Sequence, residues 1–175
     1  KKKKMVTDPG IRSTPLLGPV EDSFRQAGMP LVIFDQVSAD PADTVVLDAA
    51  RQAREAKADL VIGFGGGSSM DVAKLVALLA HPDASQQLSD IYGVGLATGP
   101  RLPLIQVPTT AGTGSEVTPV AIVTTGATTK AGVVAPSLLP DLAVLDAELT
   151  LGLPAHVTAA TGVDAMVHAI EAYTP

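Results

Sequence analysis

Short apolar runs alternate with segments of helical periodicity along most of the chain. Three of the runs predict buried strands: Leu31–Phe34, Leu60–Phe64 and Leu102–Val107. Apolar residues recur at helical spacing in three segments: residues 17–27, 40–57 and 69–80. The last of these helices is expected to be amphipathic, with an apolar face of Val72, Leu75, Val76 and Leu79. This alternation predicts an α/β fold, a Rossmann-like parallel sheet with helices on both faces.

The second half of the chain has a different pattern. Residues 82–101 are rich in Asp, Ser, Gly and Pro, which predicts a loop-rich insert. Three short β candidates follow, at residues 120–124, 132–135 and 142–145. Because no crossover helix fits between them, we expect a hairpin addition rather than another βαβ unit. From Pro154 the pattern is helical up to Pro175, with a break expected at Thr161–Gly162.

The composition permits a folded core and excludes several classes of function. Hydrophobic residues make up 46% of the chain and charged residues 17%, so the chain is not of the disordered class. The net charge of −6 argues against nucleic acid as a partner, and aromatics at 3% disfavour stacking platforms for bases. The absence of cysteine excludes disulfides, thiolate metal sites and cysteine nucleophiles, and it is consistent with a reducing, cytoplasmic location.

Neither a membrane segment nor a secretory signal is predicted. The apolar stretch Val72–Ala80 is interrupted by Lys74 and has about half the length that a membrane span needs. The basic run Lys1–Lys4 is not followed by an apolar region, so it is not a signal peptide. We assign this run no functional weight.

A glycine-rich segment, Gly65–Asp71, lies between a predicted strand and a predicted helix. Its three glycines let backbone amides approach an anion, the helix N-terminus adds partial positive charge, and Ser68 and Ser69 add hydroxyl donors. These features suit the diphosphate of a dinucleotide, although a tight strand-to-helix turn with a serine cap has the same pattern. For Asp71 we favour a structural role beside the helix dipole.

Two further segments place polar groups after strands. The loop 108–116, PTTAGTGSE, has four hydroxyls and two glycines that suit a polar head such as a carboxamide or a phosphate, although such residues also fill ordinary loops. Asp8 follows the weak strand start Met5–Val6, where a carboxylate can accept ribose hydroxyls and reject a 2′-phosphate. From the local sequence alone, a turn before Pro9–Gly10 is the favoured interpretation of Asp8.

Asp164 and His168 lie four residues apart, so on a helix they share one face. A carboxylate and an imidazole suit a divalent transition metal, but a site normally takes three or more protein ligands. His156 is a poor third candidate because it lies eight residues earlier. The pattern alone therefore favours a simple Asp–His pair over a metal site.

Taken together, several segments resemble the iron-containing alcohol dehydrogenase family, also called group III. The likeness covers nearly the whole chain from Met5 onward. The segments that carry it are Val6–Asp8, Gly65–Lys74 (GGGSSMDVAK), Pro108–Thr118 (PTTAGTGSEVT), Leu139–Asp141 with Asp146, and Ala160–Tyr173 (ATGVDAMVHAIEAY).

The resemblance implies an architecture shared with dehydroquinate synthase-like proteins. It implies a dinucleotide-binding α/β domain over residues 1–152 and, over 153–175, the truncated start of an all-α metal and substrate domain. Cofactor-binding positions implied by the resemblance are Asp8, Gly66, Gly67, Ser68, Thr109, Thr110, Ser115 and Lys130. Asp164 and His168 are implied as two metal ligands, with the family's two further histidines absent from this sequence.

The implied activity is reversible hydride transfer between a primary alcohol or aldehyde and NAD, with a divalent metal as Lewis acid. Fe(II) is the favoured metal and Zn(II) the alternative. A small alcohol or aldehyde is the expected partner, and a homodimer or larger homo-oligomer is left open. Two alternatives remain: a glycerol dehydrogenase or dehydroquinate-synthase-like relative on the same fold, or a non-catalytic, truncated nucleotide-binding module.

Overall fold

Strands and helices alternate as the apolar runs predict over residues 2–174, the part of the chain described by this computed structural model. The strands are β1 Lys2–Val6, β2 Leu31–Phe34, β3 Ala58–Gly65, β4 Gly93–Val94, β5 Leu104–Pro108, β6 Val120–Thr125, β7 Thr129–Val134 and β8 Leu142–Ala143. The helices are α1 Pro9–Arg12, α2 Leu17–Gln26, α3 Asp43–Glu55, α4 Gly67–Leu79 and α5 Ala155–Tyr173. Lys1 and Pro175, the ends of the basic run and of the predicted last helix, lie outside the described residues.

Five strands form one parallel sheet in the order β2-β1-β3-β5-β8. Successive strand residues point to opposite faces, so neighbouring residues of β3 enter different cores. Ile62 packs in a cluster with Met5 and residues of α1 and α2, whereas Val61 packs in the cluster that includes α3 and α4. The predicted parallel sheet with helices on both faces is confirmed.

A second, three-stranded sheet changes the surroundings of α4. β6 and β7 form the predicted antiparallel hairpin, and β4 pairs in parallel with β7. Ala121 and Val123 of this sheet join the core that contains α4. The expectation of an amphipathic α4 is therefore wrong: ten of its thirteen residues are buried, because a sheet covers each side of it.

Two predictions about the second half need correction. β8 is not part of the hairpin addition, since Leu142 and Ala143 pair in parallel with β5 and extend the main sheet. Asp141 holds the start of β8 next to β5. Its carboxylate accepts a hydrogen bond from Leu104 N at 2.8 Å and forms an ion pair with Arg101.

The predicted break at Thr161–Gly162 is wrong as well, because α5 runs through both residues without interruption. Thr161 Oγ1 donates to the carbonyl of Val157 one turn earlier, at 3.0 Å. A single interior glycine lowers helix stability by only about 1 kcal/mol, which a 19-residue helix tolerates. No helix within residues 2–174 combines the length and the apolar character needed to cross a bilayer.

Lys4 is a fully buried lysine in the centre of the main sheet. Its Nζ donates to Gln52 Oε1 at 3.0 Å and lies 5.4 Å from the centroid of the Phe34 ring. Burial lowers the pKa of Lys4 to about 8, an effect that the nearby Asp35 carboxylate partly opposes. The basic run, to which we gave no functional weight, thus supplies three residues of a central strand.

Lys4→Met is expected to raise the free energy of unfolding at pH 7 by about 1–3 kcal/mol, because it removes a charge whose burial costs more than its contacts return. Between the folded pKa of about 8 and the ordinary value of 10.5 the unfolded chain binds more protons, so wild-type stability rises with pH across that window. Urea unfolding at a series of pH values should show this rise in the wild type and its loss in Lys4→Met. Exposed Lys2→Met is the control, and a destabilised Lys4→Met at pH 7 would contradict the prediction.

Candidate functional site

A cavity of about 760 Å³ opens at the carboxyl ends of the main-sheet strands, where open α/β sheets bind their ligands. Five parts of the chain form its walls: the turn after β1, the segment after β2, the start of α4, the loop after β5 and the connection that leads into α5. Its polar lining includes Asp8, Gly66, Gly67, Ser68, Ser69, Thr109 and Thr110. The two polar loops found in the sequence therefore meet in one place.

The glycines at the start of α4 form a cradle open to the cavity. Gly65 adopts φ +150, a backbone conformation that side chains disfavour, and a Cβ there would lie 2.8 Å from Ser69 Oγ. Gly66 is the N-cap of α4 and no side chain caps this end of the helix. A Cβ at Gly67 would lie 3.1 Å from Thr113 Cγ2. The cradle suits a diphosphate held by amides and by the helix dipole, since no lysine or arginine of residues 2–174 lines the cavity.

Two threonine hydroxyls in the cavity wall have no hydrogen-bond partner among residues 2–174. Thr109 Oγ1 and Thr110 Oγ1 are both buried and unpaired. An unsatisfied buried hydroxyl costs about 1–3 kcal/mol, so such atoms mark places where a ligand or water supplies the missing partner. Both hydroxyls thus fit a polar ligand that extends from the cradle.

Asp8 lies beside the glycine cradle and also shapes the local backbone. Its Oδ1 accepts a hydrogen bond from Ile11 N at 2.9 Å as the N-cap of α1, and its Oδ2 accepts one from Ser69 Oγ at 3.3 Å. These bonds fix the carboxylate at the cavity wall and leave it lone pairs to spare. The turn interpretation and the ligand interpretation of Asp8 are therefore compatible.

Asp164 and His168 face each other on α5, with Asp164 Oδ1 at 3.7 Å from His168 Nε2. Their side chains are 43% and 51% exposed, so both remain accessible to an ion from solvent. Val157 of the same helix lines the cavity, and Asp164 lies about 10 Å further along the helix axis. Among residues 2–174 no third histidine, cysteine or acid completes a metal-binding group with them.

The order and spacing of these segments match a known family. Residues 1–147 fit the family model described as iron-containing alcohol dehydrogenase. The chain belongs to the iron-containing alcohol dehydrogenase family. The resemblance noted in the sequence is confirmed.

Named members of this family align over nearly the whole chain. The NAD-dependent methanol dehydrogenase of Bacillus methanolicus is 40% identical over 174 residues, which cover 99% of this chain and 45% of that protein. Long-chain-alcohol dehydrogenase 1 of Geobacillus thermodenitrificans is 42% identical over 170 residues, 97% of this chain and 43% of that protein. The crystal structure of a 1,3-propanediol oxidoreductase superposes with a TM-score of 0.92 at 37% identity, covering 99% of this chain and 45% of that one. The chain thus spans less than half the length of the relatives it matches.

Two of the predicted cofactor positions do not reach the cavity in this member of the iron-containing alcohol dehydrogenase family. Ser115 is buried at the end of the loop, where its Oγ donates to Asp71 Oδ1 at 2.6 Å and accepts from Lys74 Nζ at 2.9 Å. Lys130 lies on β7 and forms an ion pair with Asp40. Ser115 is directed into the core because the buried Asp71 and Lys74 side chains bind its hydroxyl. Lys130 is directed toward Asp40 by its position on the hairpin. The other six predicted positions line the cavity.

Asp71 has a structural role, but a different one from that predicted. It is the fifth residue of α4, beyond the first turn where the helix dipole acts most strongly. Its carboxylate accepts hydrogen bonds from Ser115 Oγ and from Ile122 N, the latter at 3.0 Å. Burial raises the pKa of Asp71, and these bonds together with Lys74 oppose the rise. Asp71 therefore connects α4 to the loop and to the hairpin.

No pattern in the sequence indicated the apolar side of the cavity. That side is formed by Ile11, Leu16, Val37, Leu149, Leu153 and Val157. These residues come from separate segments, and no local spacing links them. They come together because the strands of the main sheet are parallel, so that the carboxyl ends of β1, β2 and β8 all lie on the same side of the sheet. They give the site an apolar side, which suits an aromatic ring.

Proposed function

We propose that this chain forms the dinucleotide-binding part of an NAD-dependent alcohol dehydrogenase that transfers hydride between a small primary alcohol or aldehyde and NAD. The observation that carries the proposal is the meeting of an uncapped glycine cradle and two unpaired threonine hydroxyls in one cavity. The names of the relatives, a methanol dehydrogenase and a long-chain-alcohol dehydrogenase among them, favour alcohols as substrates.

Each wall of the cavity has a distinct task in this proposal. Amides of Gly66, Gly67 and Ser68 hold the diphosphate, and the Asp8 carboxylate accepts the hydroxyls of the adenosine ribose. Thr109 and Thr110 orient the nicotinamide half with their free hydroxyls. Bound NAD supplies the hydride acceptor, while the protein supplies orientation.

Two predicted cofactor positions act indirectly in this proposal. Ser115 fixes the loop that contains Thr109 and Thr110, because its hydroxyl is bonded to Asp71 of α4. Lys130, through its pair with Asp40, holds the segment next to the wall residues Ser38 and Ala39.

The proposal is tested by titrating the chain with NADH and following the emission of NADH itself, which is practical because the chain has no tryptophan. Saturable binding is expected for NADH. NADPH should bind at least about tenfold more weakly, because its 2′-phosphate would meet the Asp8 carboxylate. A chain that is folded by circular dichroism but binds no NADH at about 1 mM would overturn the proposal.

For the metal, we propose Asp164 and His168 as two ligands of a divalent ion, Fe(II) with Zn(II) as the alternative. A divalent ion supplies Lewis-acid chemistry when bound. Because a complete site takes at least three protein ligands, these two residues alone hold an ion weakly.

Asp164→Ala is expected to lower the affinity of the chain for Zn²⁺ at least about tenfold in isothermal titration calorimetry, since only one ligand then remains. His156→Ala, a change on the same helix but away from the pair, serves as the control and should leave the affinity unchanged. Equal Zn²⁺ binding by Asp164→Ala and the wild type would contradict the assignment.

A further inference from the structure

Lys74 is a fully buried lysine that the proposed chemistry does not use. Its Nζ donates to Ser115 Oγ at 2.9 Å, to the carbonyl of Val120 at 2.6 Å and to Thr118 Oγ1 at 3.4 Å. Asp71 Oδ1 lies 3.6 Å away. The ammonium group therefore has an acceptor for each of its three protons.

The acceptors of Lys74 all belong to the loop after β5 or to the strand that follows it. Asp71 binds the same segments through Ser115 Oγ and Ile122 N. Asp71 and Lys74 lie one turn apart on α4, so this one helix holds the loop through two charged side chains. A buried ion pair is costly to desolvate, and methionine would fill the Lys74 site at lower cost. What apolar packing at this site would lack is the set of hydrogen bonds from the pair to the loop.

The loop after β5 contains Thr109 and Thr110, whose hydroxyls are unpaired, and it is held by hydrogen bonds at both of its ends. At its start, Thr109 N donates to the carbonyl of Gly65, next to the glycine cradle, at 2.9 Å. At its far end, Ser115 is held by Lys74 and Asp71. The segment between these points has no hydrogen bond from Thr109 Oγ1 or Thr110 Oγ1 to keep it in place. The orientation of both hydroxyls therefore depends on the two anchors.

We propose that Lys74 is a positioning residue for dinucleotide binding, which together with Asp71 anchors the 109–118 loop so that Thr109 and Thr110 keep their places in the cavity wall. The inference rests on the proposed function, since it presupposes that the cavity takes a dinucleotide. Lys74 acts through the loop and does not touch the ligand, as it does not line the cavity.

The test compares NADH dissociation constants of the wild type, Lys74→Met and Gln106→Met, each shown to be folded by circular dichroism. Gln106 is the matched control, because it is equally buried under α4 and bonds only Met70 O there, at 3.0 Å. Lys74→Met should raise the dissociation constant at least about tenfold. Gln106→Met should lower the melting temperature but leave the dissociation constant within about twofold.

Hydrogen exchange shows whether the loosening is confined to the loop or spreads through the fold. In Lys74→Met the amides of residues 109–118 should exchange faster while those of β1 and β3 keep their protection. Should Lys74→Met fail to fold, Ser115→Ala removes the same anchor more gently and is expected to raise the dissociation constant about threefold to tenfold.

The outcomes separate this inference from the proposed function. If the wild type binds NADH and the folded anchor variant binds it equally well, the role of Lys74 is refuted and the proposed function stands. If the wild type does not bind NADH, both fall. Weaker binding with loosening confined to the loop supports the anchor.

Discussion

Gly66→Val is expected to abolish measurable NADH binding while the chain stays folded. Gly66 has φ −80 and ψ −174, which any residue adopts, and its Cβ would lie 3.5 Å from Thr110, an ordinary contact. The branched side chain would, however, occupy the cradle and keep a diphosphate away from the first amides of α4. We expect the dissociation constant for NADH to rise at least about 100-fold, equivalent to about 2.7 kcal/mol, with a small loss of stability from the poorer N-cap.

Gly132→Val is the matched control for this substitution. Gly132 lies on β7, away from the cavity, and nothing lies within 4 Å of a Cβ built there. Valine suits a strand, so this variant should bind NADH as the wild type does. Unchanged NADH affinity in Gly66→Val, measured by the same emission titration, would show that the cradle does not hold the cofactor.

The parts of the fold that were predicted correctly are those set by local sequence. β2, β3 and β5 are apolar runs bounded by Gly, Pro or Asp; β2 has the predicted bounds, and those of β3 and β5 differ from the prediction by one or two residues. The glycine cradle is local too, because a strand, three glycines and a helix follow one another directly. Local patterns therefore sufficed for the sheet and for the anion-binding end of α4.

The parts that were missed depend on contacts between distant segments. Lysines are poor strand formers, yet Lys2–Lys4 join β1 because β2 and β3 offer hydrogen-bonding partners on both sides. The burial of ten of the thirteen α4 residues depends on a sheet whose hairpin strands, β6 and β7, begin only at Val120. The inward turn of Ser115 follows from that burial, because it brings the loop over Asp71 and Lys74.

Gly112→Ala is expected to loosen α5 without unfolding the rest of the chain. A Cβ at Gly112 would overlap the carbonyl oxygen of Thr161 and lie 2.7 Å from its carbonyl carbon, so the loop or the helix must move. α5 has no buried residue, and its attachment therefore depends on a few contacts such as this one. Amides of residues 155–168 should exchange at least about tenfold faster, while β1 and β3 keep their protection.

Gly162→Ala is the control on the other side of this contact. Gly162 lies in α5 with nothing within 4 Å of its Cβ, so alanine should favour the helix by about 1 kcal/mol and slow exchange. Unchanged exchange of α5 in Gly112→Ala would show that the contact does not hold the helix.

If α5 is loosened, the loop that carries Thr109 and Thr110 also fixes the helix that carries Asp164 and His168. One short loop would then set the position of the proposed metal ligands relative to the proposed dinucleotide site.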